Sequence, residues 1–306
     1  MNQVATYNVH ALSTVVSPLT HMSGTSGNEA MINREPVFYN GQTRNVPVLS
    51  GNALRHRMVR EPGADYLVEQ LGLYGDMTID QYNYLYNGGS LTESSISDNL
   101  KKIGHMQTLF PLLRLIGGSL RNQIIGGSLV VKRGVLVCEE NRAQITPQLP
   151  DGYELPPDML RSSEDFIGHY QYTRGDATKR SDASAAVSEE IPEDRKSSMM
   201  PYSGQQVNPG AVFYHGFVLN NVSMLEVGAL LLSLQKWADD HGTVGGSARI
   251  GHGKIDTSIW IDAPHGDDYG GTLDPVELTQ AYMTHVTENR EACVQWLNDA
   301  FPEKKK

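Results

Sequence analysis

At 306 residues, with 39% hydrophobic and 20% charged residues, the chain can form one elaborated globular domain or two smaller ones. Its longest apolar run, GALLLSL over residues 228–234, is too short to span a bilayer, and MNQVATYNVHAL lacks the basic and apolar regions of a signal peptide. A cytoplasmic protein with no membrane partner is expected, in which Cys138 and Cys293, far apart and without CxxC spacing, are reduced packing residues.

The net charge of −10 hides a strong polarity along the chain. Residues 255–303 hold ten acids and one base, Arg290, whereas residues 41–60 hold Arg44, Arg55, Arg57 and Arg60 with no acid. Residues 101–142 hold seven bases and two acids. An acidic average therefore does not exclude an anionic ligand, although charges that only decorate solvated faces would give the same pattern.

Residues 4–20 alternate apolar and polar positions, are rich in β-branched side chains and stop at Pro18, which predicts a first strand. The small-residue stretch that follows, to Pro36, lacks helical periodicity and is expected to be a loop. TRNVPVLSG is an extended entry to a helix near Ala53, capped by Ser50 or Asn52, with Leu54 and Met58 on its buried stripe. Residues 64–125 alternate short helical patterns with glycine-rich breaks. SLVVKRGVLVCEE (128–140) predicts a strand, or a hairpin turning at Arg133-Gly134. Residues 161–207 are polar, poor in apolar side chains, and predict a loop or an arm that orders on a partner. A strand over 210–223, an amphipathic helix over 224–242, a strand over 249–262 and one C-terminal helix complete the chain, with no internal repeat. Without its insertions this order is βαββαβ. It belongs to the α/β (α+β) class and matches the ferredoxin-like arrangement also used by RNA-recognition domains.

The run HGTVGGSARIGHGK (241–254) is not a nucleotide-binding P-loop: Ala248 occupies the first glycine position, Ile255 follows Lys254, and a strand follows where a helix is required. It remains a five-glycine, acid-free loop bearing Ser247, Arg249, His252 and Lys254, whose backbone N–H groups could cradle an anion. A tight helix–strand turn with incidental bases fits equally well. LSGNALRHRMVR (49–60) is more informative, because a helix N-terminus offers unpaired N–H groups and attracts phosphate. Its bases oppose the helix dipole locally, a penalty that an anionic partner would offset; a solvated helix face with scattered arginines is the alternative. The ten histidines show no metal-ligand spacing and there is no GxSxG elbow, so neither metal nor cofactor is expected.

The βαββαβ order, the segment VPVLSGNALRHRMVR and the late GGSARIGHGK loop resemble the RAMP-type CRISPR proteins. Within that superfamily the chain is most similar to a backbone subunit of the "Cas seven" kind, in its type IV form. The resemblance implies a hand-like shape. Its palm would comprise residues 1–63, 126–160 and 208–306, its helical fingers 64–125, and its thumb arm 161–207. It implies that Ser50, Asn52, Arg55, Arg57 and Arg60 hold guide-RNA phosphates, that Ser247, Arg249, His252 and Lys254 line the same surface, and that His21, Met22, Ser23 and Gly24 touch the guide. Tyr170, Tyr172, Met199 and Met200 would be the apolar thumb tips that wedge between bases. The implied partners are the guide CRISPR RNA, a target nucleic acid paired to it, further copies of the chain in a helical filament, and other effector subunits of an antiviral or anti-plasmid system. In type III relatives an aspartate in the loop after the first strand cuts target RNA. SGTSGNEAMINREP has no aspartate, and Glu29 stands near that position, so the expected subunit is non-catalytic. The alternatives are a type III-like, metal-dependent endoribonuclease using Glu29, and an unrelated single-stranded RNA-binding module.

Overall fold

The computed structural model describes residues 4–27, 29–91, 100–120, 123–174, 200–262 and 274–302. Strand β1 (Ala5–Val15) is the spine of the molecule. Its alternation sends Tyr7, Val9 and Val15 into the main core and Leu12 into a smaller cluster on the other face of the sheet. Three short strands follow, β2 (Met22–Ser26), β3 (Glu29–Ile32) and β4 (Arg34–Tyr39), and then β5 (Gln42–Leu49). A continuous helical run begins as α1 (Gly51–Leu54), widens into a π turn (Arg55–Arg60) and continues as α2 (Glu61–Leu71). Helices α3 (Ile79–Tyr82), α4 (Leu100–Leu109) and α5 (Pro111–Ile116) and the hairpin β6 (Gly118–Leu120) and β7 (Gln123–Ile125) come next. Strand β8 (Leu129–Leu136), α6 (Arg142–Ile145), β9 (Ile167–Arg174), β10 (Met200–Val207) and β11 (Val212–Val222) lead to α7 (Met224–Asp239). Strand β12 (Ile255–Asp262) and helices α8 (Pro275–Glu288) and α9 (Arg290–Ala300) end it.

The protein is a mixed α+β structure with antiparallel sheets. The large sheet has the order β12-β1-β11-β8-β5-β4, and every described pairing in it is antiparallel. β1 therefore sits between β11 and β12, and the chain crosses over neighbouring strands twice, from β1 to β4 and from β11 to β12. Helices α2, α5, α7 and α8 share one hydrophobic core with one face of this sheet. The segment 64–125 packs into that core through Leu67, Leu85, Leu109, Leu113 and Ile116.

Four local expectations are corrected. Residues 22–39 are strands, not a loop: Gly27 (φ 61°) opens the tight turn that closes Ser26 onto Glu29, and Asn40-Gly41 (φ 47° and 77°) closes Tyr39 onto Gln42. Asn-Gly is the pair a two-residue hairpin favours, and a glycine at positive φ serves the other turn. Arg133-Gly134 makes no turn: β8 continues through it with a bulge, where two residues oppose His215 of β11, and Gly134 pairs with Leu49 of β5, whose Cβ lies 3.0 Å from where a Gly134 Cβ would stand. The C-terminal helix is two helices, since the Asn289 amide turns back to the His285 carbonyl (2.8 Å) and competes with the helical ladder. Finally, Ser50, and not Asn52, caps the first helix.

Gly228 locks the helical layer. A Cβ there would lie 2.2 Å from the Leu278 carbonyl oxygen, so α7 and α8 touch backbone to backbone. Gly228→Ala gains ~1 kcal/mol of helix propensity but overpacks this contact at a cost of about 1–3 kcal/mol. We expect a net loss, measured as a lower urea midpoint with an unchanged slope.

Candidate nucleic-acid interface

Ser50 Oγ accepts the Ala53 N–H (3.2 Å), and the Ser50 N–H donates to Nε2 of His21 (3.1 Å). His21 is therefore neutral at this contact, and burial pushes its pKa below the ordinary value. It holds the helix start in place, a different job from touching a phosphate through Nε2. Gly51 allows this end to press on β8: a Cβ would stand 2.6 Å from the Val131 oxygen. Asn52 is exposed.

The arginines of the π turn have separate fates. Pro62 has no N–H to continue a regular helix, and the wide turn lies directly before it, with the Glu61 N–H reaching back to His56. Arg57 pairs with Glu61 at 2.6 Å. Arg60 corrects the sequence reading: it is 8% exposed and donates to the carbonyls of Leu85 (3.3 Å) and Gly117 (2.8 Å). Burial, with Arg55 nearby, lowers its pKa to about 10. It is an interior tie to the 64–125 segment and offers nothing to RNA. Of these three arginines, Arg55 alone has its guanidinium in no described hydrogen bond or ion pair. It is half-buried, burial lowers its pKa, and its Nε is buried without a partner.

The glycine loop is fastened to the end of β1. The Gly246 N–H donates to the Thr20 carbonyl (2.7 Å) and Thr20 Oγ1 donates to the Gly246 carbonyl (2.9 Å). Gly253 (φ 86°) must be glycine, because a Cβ would meet the Val244 oxygen at 2.2 Å. The amides of Ile250, Gly251, His252, Gly253 and Lys254 are spent on neighbouring acceptors. An anion nest across 250–254 is thereby excluded, and the consecutive amides free of any described hydrogen bond are those of Ser247, Ala248 and Arg249. Arg249 and Lys254 are exposed, and Ser247 and His252 half-buried.

The polar arm and the supposed first loop form one small sheet, in the order β2-β3-β10-β9. On it, Tyr170 stacks with Tyr172 (centroids 6.2 Å, 8°), and Tyr172 with Tyr202 (5.3 Å, 15°). The His252 ring meets Tyr170 edge-on at 5.4 Å, its Nδ1 buried and unpartnered. Tyr202 was not singled out from the sequence; its spacing after the polar arm, in the alternating MPYSGQQV strand, is the signal that finds it. Met199 lies outside the described residues, and Met200 is described only as backbone in β10, opposite Arg174. Met22, Ser23 and Gly24 are exposed on β2, and the Met22 methyl lies 4.0 Å from where a Gly246 Cβ would stand. Glu29 on β3 pairs with His169 on β9 at 3.1 Å.

Contacts thus run without a gap from Ser50 through His21 to Thr20, on to Gly246 and the glycine loop, and from His252 to the tyrosine stack. Three segments distant in sequence become one surface. Among the described residues, no three His, Cys, Asp or Glu side chains gather as a metal set, and no helix is long and apolar enough to cross a membrane.

No protein-family model matches the chain, and no curated protein does. Among solved structures, a chain described as "Type IV-B CRISPR Complex" matches with a TM-score of 0.55, covering 87% of this chain and 93% of that one at 16% identity. The two chains share a fold.

Two measurements test the site's internal bonding. Arg60→Leu strips two buried carbonyls of a charged donor and is expected to lower stability by about 1.5–3 kcal/mol, read as a urea midpoint. His21 and His215 both have pKa values pushed down by burial, His215 to about 4. The unfolded chain, with histidines near pKa ~6.5, binds protons that the folded chain does not. Their contribution is complete above pH ~6.5 and lost as pH falls toward the folded values. His21→Gln, which keeps an acceptor for the Ser50 N–H, is expected to flatten part of that acid slope.

Proposed function

We propose that the chain is a guide-RNA-binding backbone subunit of a CRISPR effector, itself non-catalytic. The observation that carries the proposal is the continuous surface from the Ser50 helix start to the tyrosine stack, which gathers Arg55, Arg249 and Lys254 beside stacked aromatic rings. The shared fold with a chain of a Type IV-B CRISPR complex supports the same reading. So does the strand order, for β12-β1-β11-β8 is fourth-first-third-second of a βαββαβ unit, the order of a ferredoxin-like palm. On this reading 64–125 are the fingers and 161–207 the thumb, attached to palm segments 1–63, 126–160 and 208–306.

Each group then has a task. Arg55, with its unpartnered Nε, takes a phosphate oxygen, and Ser247, Arg249 and Lys254 follow the backbone onward. Asn52, Ser23 and Gly24 border the path without obstructing it, and Arg57 contributes while tethered to Glu61. Tyr172, 48% exposed, offers a ring face to a base, a contact worth about 1–3 kcal/mol. Phosphate contacts carry no sequence information, so base pairing between guide and target reads the sequence. Copies of the chain would repeat along the guide, with other effector subunits at its ends.

A target-RNA endoribonuclease using Glu29 is the competing reading, favoured by the Glu29–His169 pair, in which a carboxylate and an imidazole meet on the same small sheet. A cleavage assay on guide-matched RNA with divalent metal separates the two: loss of target turnover in Glu29→Ala sinks the non-catalytic reading.

The direct test is Arg55→Glu. The purified variant is expected to lose its RNA, seen as a fall in the 260/280 nm absorbance ratio, while keeping its unfolding midpoint. RNA of one uniform length should copurify with the unmodified chain, and it should dissociate steeply with added salt. If Arg55→Glu keeps its RNA, the helix start is a solvated surface and the proposed site is wrong.

A further inference from the structure

The large sheet has two open edges, β4 and β12, and they differ in kind. At the β4 edge the hairpin with β5 projects beyond the core, with residues 40–45 all exposed and Phe38 79% exposed. Arg44 stands opposite Val37 in this hairpin and enters no described ion pair, and residues 38–45 contain no acid. At the β12 edge an empty groove of about 300 Å³ opens between sheet and helices. Leu231, Leu234 and Ala238 of α7, Thr257 and Ile259 of β12 and Val276 of α8 line it. Val276 is 74% and Ile259 40% exposed. The rim is acidic: Asp239 and Asp240 follow Ala238 and Glu277 follows Val276, whereas Asp256 alternates to the other face of β12. These three are exposed and outside every described ion pair.

We infer that this groove is the socket for the β4–β5 hairpin of a second copy of the chain, with Phe38 inserted between α7 and β12 and Arg44 facing the acidic rim. An apolar knob beside a base fits an apolar hole ringed by acids, and each feature is unsatisfied in a single copy. An aromatic side chain that enters such a groove removes ~150–250 Å² from water. The docking also covers an open strand edge that would otherwise invite promiscuous pairing. Knob and socket lie at opposite ends of one sheet. The contact is therefore heterologous, leaving a free hairpin at one end of the pair and a free socket at the other, so addition continues head to tail. The inference deepens the proposed function, on which it rests, by naming the surfaces through which copies would follow one another along a guide.

The test keeps Phe38 and uses the full chain with Thr43→Cys, opposite Phe38 in the hairpin, with Gln235→Cys at the groove, and with both, treated with a short bis-maleimide. Cys138 and Cys293 are buried and stay out of the reaction. A mixture of the two single variants is expected to give a cross-linked dimer that neither gives alone, and the double variant a ladder of multimers. Arg44→Glu in the double variant should cut the ladder about tenfold at low salt, the effect of ~1.4 kcal/mol in association. A self-cross-linked dimer from Thr43→Cys alone, at the yield of the mixture, would mean a symmetric contact and overturn the inference. No ladder from the double variant also overturns it, including the case in which the groove serves a different basic partner. RNA content is read in the same samples. RNA without a ladder defeats the docking and leaves the guide-binding reading standing; a ladder without RNA supports the docking and counts against that reading.

Discussion

The candidate interface depends on two hydrogen bonds between Thr20 and Gly246. β1 ends at Val15, the chain turns through Pro18, and Thr20 then offers both its carbonyl and its hydroxyl to a residue 226 positions later. Such closeness needs glycine, for a Cβ on Gly245 would lie 2.6 Å from the Thr20 oxygen. This clasp brings the glycine loop beside the chain that carries His21, and His21 in turn fixes Ser50. Without it, the helix start and the loop would be two weakly basic segments on separate connections. A linear polyanion gains from several cations along one track, because each neutralised phosphate releases counterions, whereas the same cations scattered over a surface gain little.

The π turn shows why position in space, and not residue type, decides what an arginine does. Arg55, Arg57 and Arg60 lie within six residues. One is unpaired at the surface, one is held by Glu61, and one is sunk among backbone carbonyls. Burying a guanidinium costs several kcal/mol unless donors and acceptors match. Arg60 meets that requirement through two carbonyls at the junction with the 64–125 segment, and its cost appears as a lowered pKa. Arg60 also keeps positive charge behind Arg55. That repulsion lowers Arg60's own pKa, and a phosphate bound at Arg55 would relieve it.

Much of this was legible in the sequence. The β1 alternation, the β11 strand, the α7 amphipathicity and the Ser50 cap follow from periodicity and capping chemistry, and with them the βαββαβ order. The turn glycine Gly27 and the Asn40-Gly41 turn were present in the letters but obscured by small, polar neighbours that suppress strand alternation. Arg60 could not be assigned from spacing, because a helical wheel assumes 3.6 residues per turn and a π turn moves every later side chain around the axis. Pro62 is the local sign of that disturbance. The tyrosine stack was half visible: Tyr170 and Tyr172 share one strand face, but Tyr202 joins them only through the pairing of β9 with β10, across a long sequence gap.

The charge polarity of the chain acquires a spatial meaning from the same topology. Its bases concentrate in the 41–60 segment and in the glycine loop, which the Thr20 clasp brings to one surface. Acids concentrate in β12, the edge strand into which the glycine loop leads, and in α8 and α9 of the helical layer. A protein uniformly basic enough to hold RNA would hold it on every face. On the proposed reading the acidic elements disfavour a polyanion away from the clasped surface, so that net charge and local affinity have opposite signs. The two populations of charge meet where the clasped glycine loop passes into β12, so the boundary between them falls within two residues, from Lys254 to Asp256.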